Sequence, residues 1–360
     1  MFFKGQVTLW FNLLEPHEEN RFALHPEELS RELAGLDKKP EWVVIDEIQK
    51  VPKLLDLVHH HIEQDRIKFA LTGSSARRLK RGSANLLAGR ALVHTVFPLT
   101  HVEMGKKFDL DSALMFGTLP GITQIDNDPE KREFLKSYAL TYLKEEIWAE
   151  HFLRNLDPFR KFLEIAAQCN GQVLNYANIA RDVGVDPKTV QSYFQLLEDT
   201  LLGYMLEPFN RSIRKQQRNA PKFYFFDTGV KRALSNQLGL ALKPSNYEFG
   251  RAFEHLVILE MLRLNMYQQS DLRFSYLLTK DQAEIDLIVE YPNRSYALIE
   301  IKSTDHVDER DTRTLERFLP DFKNAKAYCL SRDPHRKKIG SVLALPWQDG
   351  LKELGISPGD

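Results

Sequence analysis

The chain has little cysteine, no long apolar run and no excess of charge of either sign. Cys169 and Cys329 are its only cysteines in 360 residues. Two thiols cannot by themselves build a zinc cage and are too few for a disulfide framework, so a reducing compartment fits. No apolar run approaches the roughly 20 residues that span a bilayer. The opening Met-Phe-Phe-Lys-Gly leads into no apolar signal segment. A cytoplasmic protein without a membrane partner is therefore expected. A net charge of −1 provides no overall basic field, so any polyanion would have to meet a local patch. Internal repeats and low-complexity segments are missing as well. The pattern G-x-x-x-x-G-K-[ST], whose backbone N–H groups cradle phosphates, occurs nowhere in the chain.

What is present is globular: 43% hydrophobic and 28% charged residues allow real cores, and the length suggests two or three domains. The reading is an α/β protein in three parts: a parallel-sheet core over residues 1–105, a helical and winged-helix-like region over 106–240, and an α/β domain over 245–356. In the first part, strand signals at residues 7–14, 41–46 and 68–72 alternate with a helix over 52–65, the βαβ rhythm of a parallel sheet. The middle part carries helix candidates at 159–169, 176–183 and 187–202, with Asp186 as N-cap and Pro187 at the first position. A strand pair at 203–209 and 222–227 follows. The last part reads as a helix over 252–265, strands at 274–279, 284–290 and 296–302, a helix over 309–319, and strands at 325–330 and 342–345.

Three constellations carry chemistry. The first is an apolar strand ending in Asp46 and Glu47, the Walker B arrangement. At the C-terminal edge of a parallel sheet, where ligands bind, Asp46 can hold Mg²⁺ and Glu47 can polarise an attacking water. Thr72 and Ser74, on the neighbouring strand, are then placed to sense a γ-phosphate. Two solvated acids at a strand end are the plain alternative. The strand at residues 7–14 reads as the second of such a fold, so the sequence is expected to begin just past the phosphate loop. That predicts weak or no ATP binding.

The second is Asp286 followed by Glu300-x-Lys302, the layout of a PD-(D/E)XK nuclease core. Residues i and i+2 of a strand share a face, so Glu300 and Lys302 point together. Two carboxylates can hold Mg²⁺ while the lysine orients water or meets the phosphate. Glu254, on the preceding helix, resembles the helix acid of that fold. An inactive binding domain, or a sheet edge of solvated charges, is the competing reading. The third is a helix-turn-helix outline. Lys188, Thr189, Gln191 and Ser192 would face outward from its second helix, and Arg211, Arg214, Lys215 and Arg218 could meet DNA phosphates from a wing. A packing module between protomers of a homo-oligomer is the alternative. The run His59, His60, His61 does not share one helix face and argues against zinc. The basic residues Arg77, Arg78, Lys80 and Arg81 read as a solvated loop, with contact to phosphate or nucleic acid as the alternative.

The segments EWVVIDEIQKVPKLLDLVHHHIE, FALTGSSARRLKRGSANLLAGRA, LNYANIARDVGVDPKTVQSYFQLLEDTLLGYML, APKFYFFDTGV, GRAFEHLVILEM, AEIDLIVE and ALIEIKS together resemble the bacterial and archaeal AAA-type ATPases whose C-terminal half is a domain of unknown function. The resemblance covers essentially the whole chain. It implies a P-loop ATPase core using ATP and Mg²⁺, with Asp46 and Glu47 as its Walker B pair and Thr72 and Ser74 at its sensor strand. Arg90, within NLLAGR, falls at an arginine motif of the family and is read as a nucleotide contact. The chain departs from the family by lacking the P-loop. Nucleotide hydrolysis, with nucleic-acid cleavage as a lesser activity, stands against a non-catalytic DNA- or partner-binding protein on a degenerate ATPase scaffold.

Overall fold

A computed structural model describes residues 6–73, 91–142, 157–210 and 220–357. It divides into two compact units, Met1–Val93 and His94–Asp360.

The first unit holds strands β1 (Thr8–Asn12), β2 (Trp42–Asp46) and β3 (Lys68–Leu71), with helices α1 (Pro16–Leu24), α2 (Glu28–Gly35) and α3 (Leu54–Asp65). The three strands are parallel and β2 is central. Val43, Val44 and Ile45 of β2 are buried, as a continuous apolar run between two neighbours requires. Leu54, Leu55 and Val58 of α3 share a core cluster with Val43 and Ile45, following the helical repeat. The short helices α1 and α2 are not apparent from the apolar pattern, since one buries Phe22 alone and the other only Leu29 and Leu33.

The second unit begins with α4 (His101–Met104), α5 (Leu110–Phe116) and α6 (Asp128–Ser137). A three-helix group follows: α7 (Asp157–Gln168), α8 (Tyr176–Val183) and α9 (Pro187–Asp199). Asp186 caps α9 by accepting from the Lys188 and Thr189 N–H groups at 2.9 and 3.0 Å. Helix α9 stops short of residue 202 because Leu201 turns to φ 62°. Strands β4 (Gly203–Leu206) and β5 (Lys222–Phe225) form an antiparallel pair. Residues 207–209 leave that pair and meet the edge of the next sheet, where the Phe209 N–H donates to Tyr276 O at 2.6 Å.

After α10 (Thr228–Leu234), the long α11 (Tyr247–Gln268) leads into a mixed six-stranded sheet. The sheet is made of β6 (Arg273–Leu278), β7 (Glu284–Glu290), β8 (Tyr296–Lys302), β9 (Ala325–Ser331), β10 (Lys337–Ile339) and β11 (Val342–Pro346), ordered β10-β11-β9-β8-β7-β6. Helix α12 (Glu309–Phe318) buries Leu315 and Phe318 on one face. Helices α11 and α13 (Trp347–Glu353) cover the other. Helix α11 starts earlier than its apolar pattern suggests, because Asn246 caps it through the Phe249 N–H at 2.8 Å. Its inward polar groups are paired: His101 Nδ1 and Glu260 Oε2 lie 2.6 Å apart, and Arg263 donates to Phe226 O at 2.5 Å. No helix among the described residues is long and apolar enough to cross a membrane.

Candidate functional site

Each unit carries one candidate site. In the first unit, Asp46 closes β2 level with Asn12 of β1, at the C-terminal edge of the parallel sheet. The Thr72 hydroxyl donates to the Asp46 carboxylate and accepts the Glu47 N–H at 3.2 Å. Thr72 is also tied through its backbone: its N–H donates to Ile45 O and its carbonyl accepts the Ile48 N–H, each at 3.0 Å. These bonds hold Glu47 in a left-handed conformation, φ 58°, ψ 45°, which is uncommon for a residue with a Cβ and concentrates at functional turns. Gln49 donates to the Glu47 carboxylate. The three polar residues Asp46, Glu47 and Thr72 thus form one hydrogen-bonded edge. Ser74, Arg90 and the basic residues Arg77, Arg78, Lys80 and Arg81 lie outside the described residues.

The second site lies where β7 and β8 separate. Their ladder runs from Glu290↔Tyr296 to Leu287↔Ile299 and ends there, although β7 begins at Glu284 and β8 continues to Lys302. Beyond the last pair, β8 stays with β9 while β7 stays with β6. Across β6–β7, Ser275 faces Ile288 and Leu277 faces Ile285, so β7 carries one extra residue. This bulge lets Ile285 and Ile288 share one core cluster while Leu287 joins the other. A bulge re-aims side chains, and Asp286 is one of the re-aimed residues. Its carboxylate fills the fork by accepting the Ile301 N–H at 2.7 Å.

Glu300 and Lys302 flank that amide on β8, and the Lys302 ammonium donates to Glu300 Oε1 at 2.8 Å. Glu254 approaches from α11 and accepts the Tyr224 hydroxyl at 2.8 Å. Lys222 Nζ lies 3.7 Å from the same Glu254 oxygen and pairs also with Glu284. The fork therefore gathers four carboxylates (Glu254, Glu284, Asp286, Glu300) and two ammonium groups. Lys222, Tyr224 and Glu284 are site residues that sequence reasoning missed. The alternation of Lys222 and Tyr224 along β5 is the local signal that they share a face.

The electrostatics follow from burial and crowding. Burial, and then the charge of Asp286, push Glu300 up to about 8, against the pull of Lys302. Burial and Asp286 likewise push Glu254 up to about 7, opposed by Lys222 and the Tyr224 hydroxyl. Asp286 itself is raised by burial, although Lys302, Lys222 and the Ile301 N–H favour its charged form. Burial alone would lower Lys222 and Lys302, yet the surrounding carboxylates hold both above the ordinary lysine range. Formally the cluster carries two negative charges in excess. Among the described residues, buried Glu300 Oε2 has no hydrogen-bond partner, an orphaned acceptor of the kind a cation completes. The donor chemistry thus fits a hard divalent cation. Among the described residues, however, no group of three or more His, Cys, Asp or Glu side chains is arranged so that it could hold a metal ion. Asp46 belongs to the first unit.

Lys188 and Gln191 are exposed on α9, as are Ser192 and Gln195, while Val190, Tyr193 and Phe194 face the core. The helix therefore has an exposed polar face, but Thr189 is half-buried and its hydroxyl donates to the capping Asp186 at 2.5 Å. Arg211, Arg214, Lys215 and Arg218 lie outside the described residues.

Comparison with known proteins finds family matches over three stretches of the chain. Residues 2–105 match the AAA domain, residues 107–241 a domain of unknown function (DUF8612), and residues 249–349 a second domain of unknown function (DUF4143). An AAA-type domain therefore stands at the N-terminal side of two domains without assigned roles. Uncharacterized proteins of Mycobacterium tuberculosis and Mycobacterium bovis are each 27% identical over 308 residues, covering 84% of this chain and 68% of the relative. An uncharacterized protein of Methanocaldococcus jannaschii is 22% identical over 309 residues, covering 79% and 67%.

Proposed function

We propose that this chain is an AAA-type protein acting on nucleic acid, and that its C-terminal fork cleaves phosphodiester bonds with a divalent cation. One observation carries the reading: Asp286, set by a bulge, and Glu300-x-Lys302 meet where two strands part. Asp286 and Glu300 would hold the cation, with Glu254 completing its surroundings. A bound Mg²⁺ supplies Lewis-acid polarisation of the phosphate and an activated water. Asp286 is locked by the Ile301 amide, so its carboxylate direction is set before anything binds. Lys302 keeps its proton at neutral pH, held by Asp286 and Glu300, and can neutralise charge on the phosphate. In the AAA-type part, Asp46, Glu47 and Thr72 form the polar edge suited to Mg²⁺ and a nucleotide.

The test is cutting of single-stranded, double-stranded and branched DNA by the purified chain with Mg²⁺ or Mn²⁺, beside Lys302→Ala. Metal-dependent cutting lost in Lys302→Ala supports the reading. No cutting on any of these substrates overturns it. A second reading, a non-catalytic DNA- or partner-binding scaffold, is favoured by the Lys222 ammonium lodged among the carboxylates. Cytoplasmic residence, contact of Lys188 and Gln191 with DNA, and self-association belong with both readings.

A further inference from the structure

We infer that Lys222 is the resident counter-cation of the carboxylate fork and the group a divalent cation must displace to enter it. The inference rests on the metal-dependent reading above and adds a residue from outside the E-x-K layout. Lys222 lies within APKFYFFDTGV, a segment the proposed activity leaves without a role.

Its position is set by the middle part of the chain. Strand β5 pairs it in register with Leu206, and an isolated bridge joins it to Val173. Only 3% of the residue is exposed. The ammonium reaches out of that hairpin to Glu254 at 3.7 Å and to Glu284, with the Tyr276 ring centroid 5.3 Å away. Tyr224, two residues along the same strand, donates to the same Glu254 oxygen. Glu254 Oε1 therefore already faces two donors from β5. A hard cation needs carboxylate oxygens at about 2.0–2.1 Å, and a fixed ammonium beside the same oxygens repels it.

The carboxylates lie in the segment matching one domain of unknown function and Lys222 in the segment matching the other. The middle part thereby sets how readily the fork takes up metal. A change in how β5 lies against α11 would alter that affinity without altering any carboxylate.

The experiment is Mn²⁺ binding to the full chain, read from the electron paramagnetic resonance of free Mn²⁺. Wild type, Lys222→Met, Lys222→Arg and Asp286→Asn are compared, each checked for folding by circular dichroism. Lys222→Met is expected to bind at least about tenfold more tightly than wild type, and Lys222→Arg, which keeps the charge, within about twofold of it. Equal binding by wild type and Lys222→Met, lost in Asp286→Asn, overturns the displacement and leaves the metal-dependent reading standing. No Mn²⁺ binding by wild type or by folded Lys222→Met overturns both. Wild type alone supplies a second readout should Lys222→Met fail to fold. Reductive methylation of Lys222, followed by mass spectrometry, is expected to rise when Mn²⁺ is added. An unchanged rate overturns the displacement.

Discussion

The Asp286 carboxylate accepts the Ile301 N–H at 2.7 Å across a gap that the backbone ladder no longer closes. One side chain does the work of a missing strand pair, so the residue is structural as well as charged. Asp286→Ala leaves that buried amide without a partner and should destabilise the second unit by about 1–3 kcal/mol. Asp286→Asn keeps an acceptor and should cost less, while losing the charge that holds metal. Urea unfolding of the two variants checks the order. Equal stability would remove the structural role.

Stability of the metal-free protein should depend on pH through Glu300. Its carboxyl is held at about 8 in the folded chain against an ordinary value of 4.5. The folded state therefore keeps a proton that the unfolded state has lost, and stability falls as pH rises through this window. Glu254, at about 7, adds to the same trend. In chelator, the thermal midpoint of the second unit should drop between pH 5 and pH 8, and Glu300→Gln should flatten the drop. A Glu300→Gln slope equal to wild type contradicts this assignment.

Gly117 has φ +75° and ψ −166°, and a Cβ there would lie 2.0 Å from Asp227 Oδ1. Asp227 accepts the Thr118 N–H at 2.8 Å and the Val230 N–H at 3.0 Å, tying α5 to α10. Gly117→Ala combines backbone strain with loss of this tie. A destabilisation of about 3 kcal/mol or more is expected, read as a shift of the urea midpoint. A shift within error would refute the strain argument.

These 360 residues contain no G-x-x-x-x-G-K-[ST], so the Asp46–Glu47–Thr72 edge is without that phosphate cradle. Titration with a fluorescent ATP analogue should give only weak binding. Micromolar affinity would show that another backbone segment supplies the cradle.

DNA binding, if measured, should weaken with salt. Replacing Arg211, Arg214 and Arg218 with Ala should reduce the slope of log affinity against log salt by roughly one unit per lost phosphate contact. An unchanged slope moves the contact away from this segment, with Arg77, Arg78, Lys80 and Arg81 next to be tested.

Much of the architecture is visible in the primary sequence because its signals are local. Strands β7 and β8 are bounded in the structure as their apolar runs suggest, and Asp186 caps α9 through its own neighbours. Other elements leave no such trace. Helix α10 is buried on nearly every side, including Lys231 and Arg232, so it has no amphipathic stripe. Strand β10 spans only Lys337–Ile339.

The sequence by itself determined the α/β class, the acidic strand end at Asp46–Glu47 and the shared face of Glu300 and Lys302. Each depends on side-chain type and on spacings of a few residues, which the backbone periods of helix and strand convert directly into direction. Tertiary structure alone decided that β7 bulges at Asp286, that β8 parts from it there, and that Lys222, from the middle part, enters the carboxylate cluster. Lys222 and Glu284 are far apart along the chain yet paired in space. No residue-to-residue period spans that separation. Only the packing of β5 against α11 and the edge of the sheet brings the ammonium and the carboxylates together.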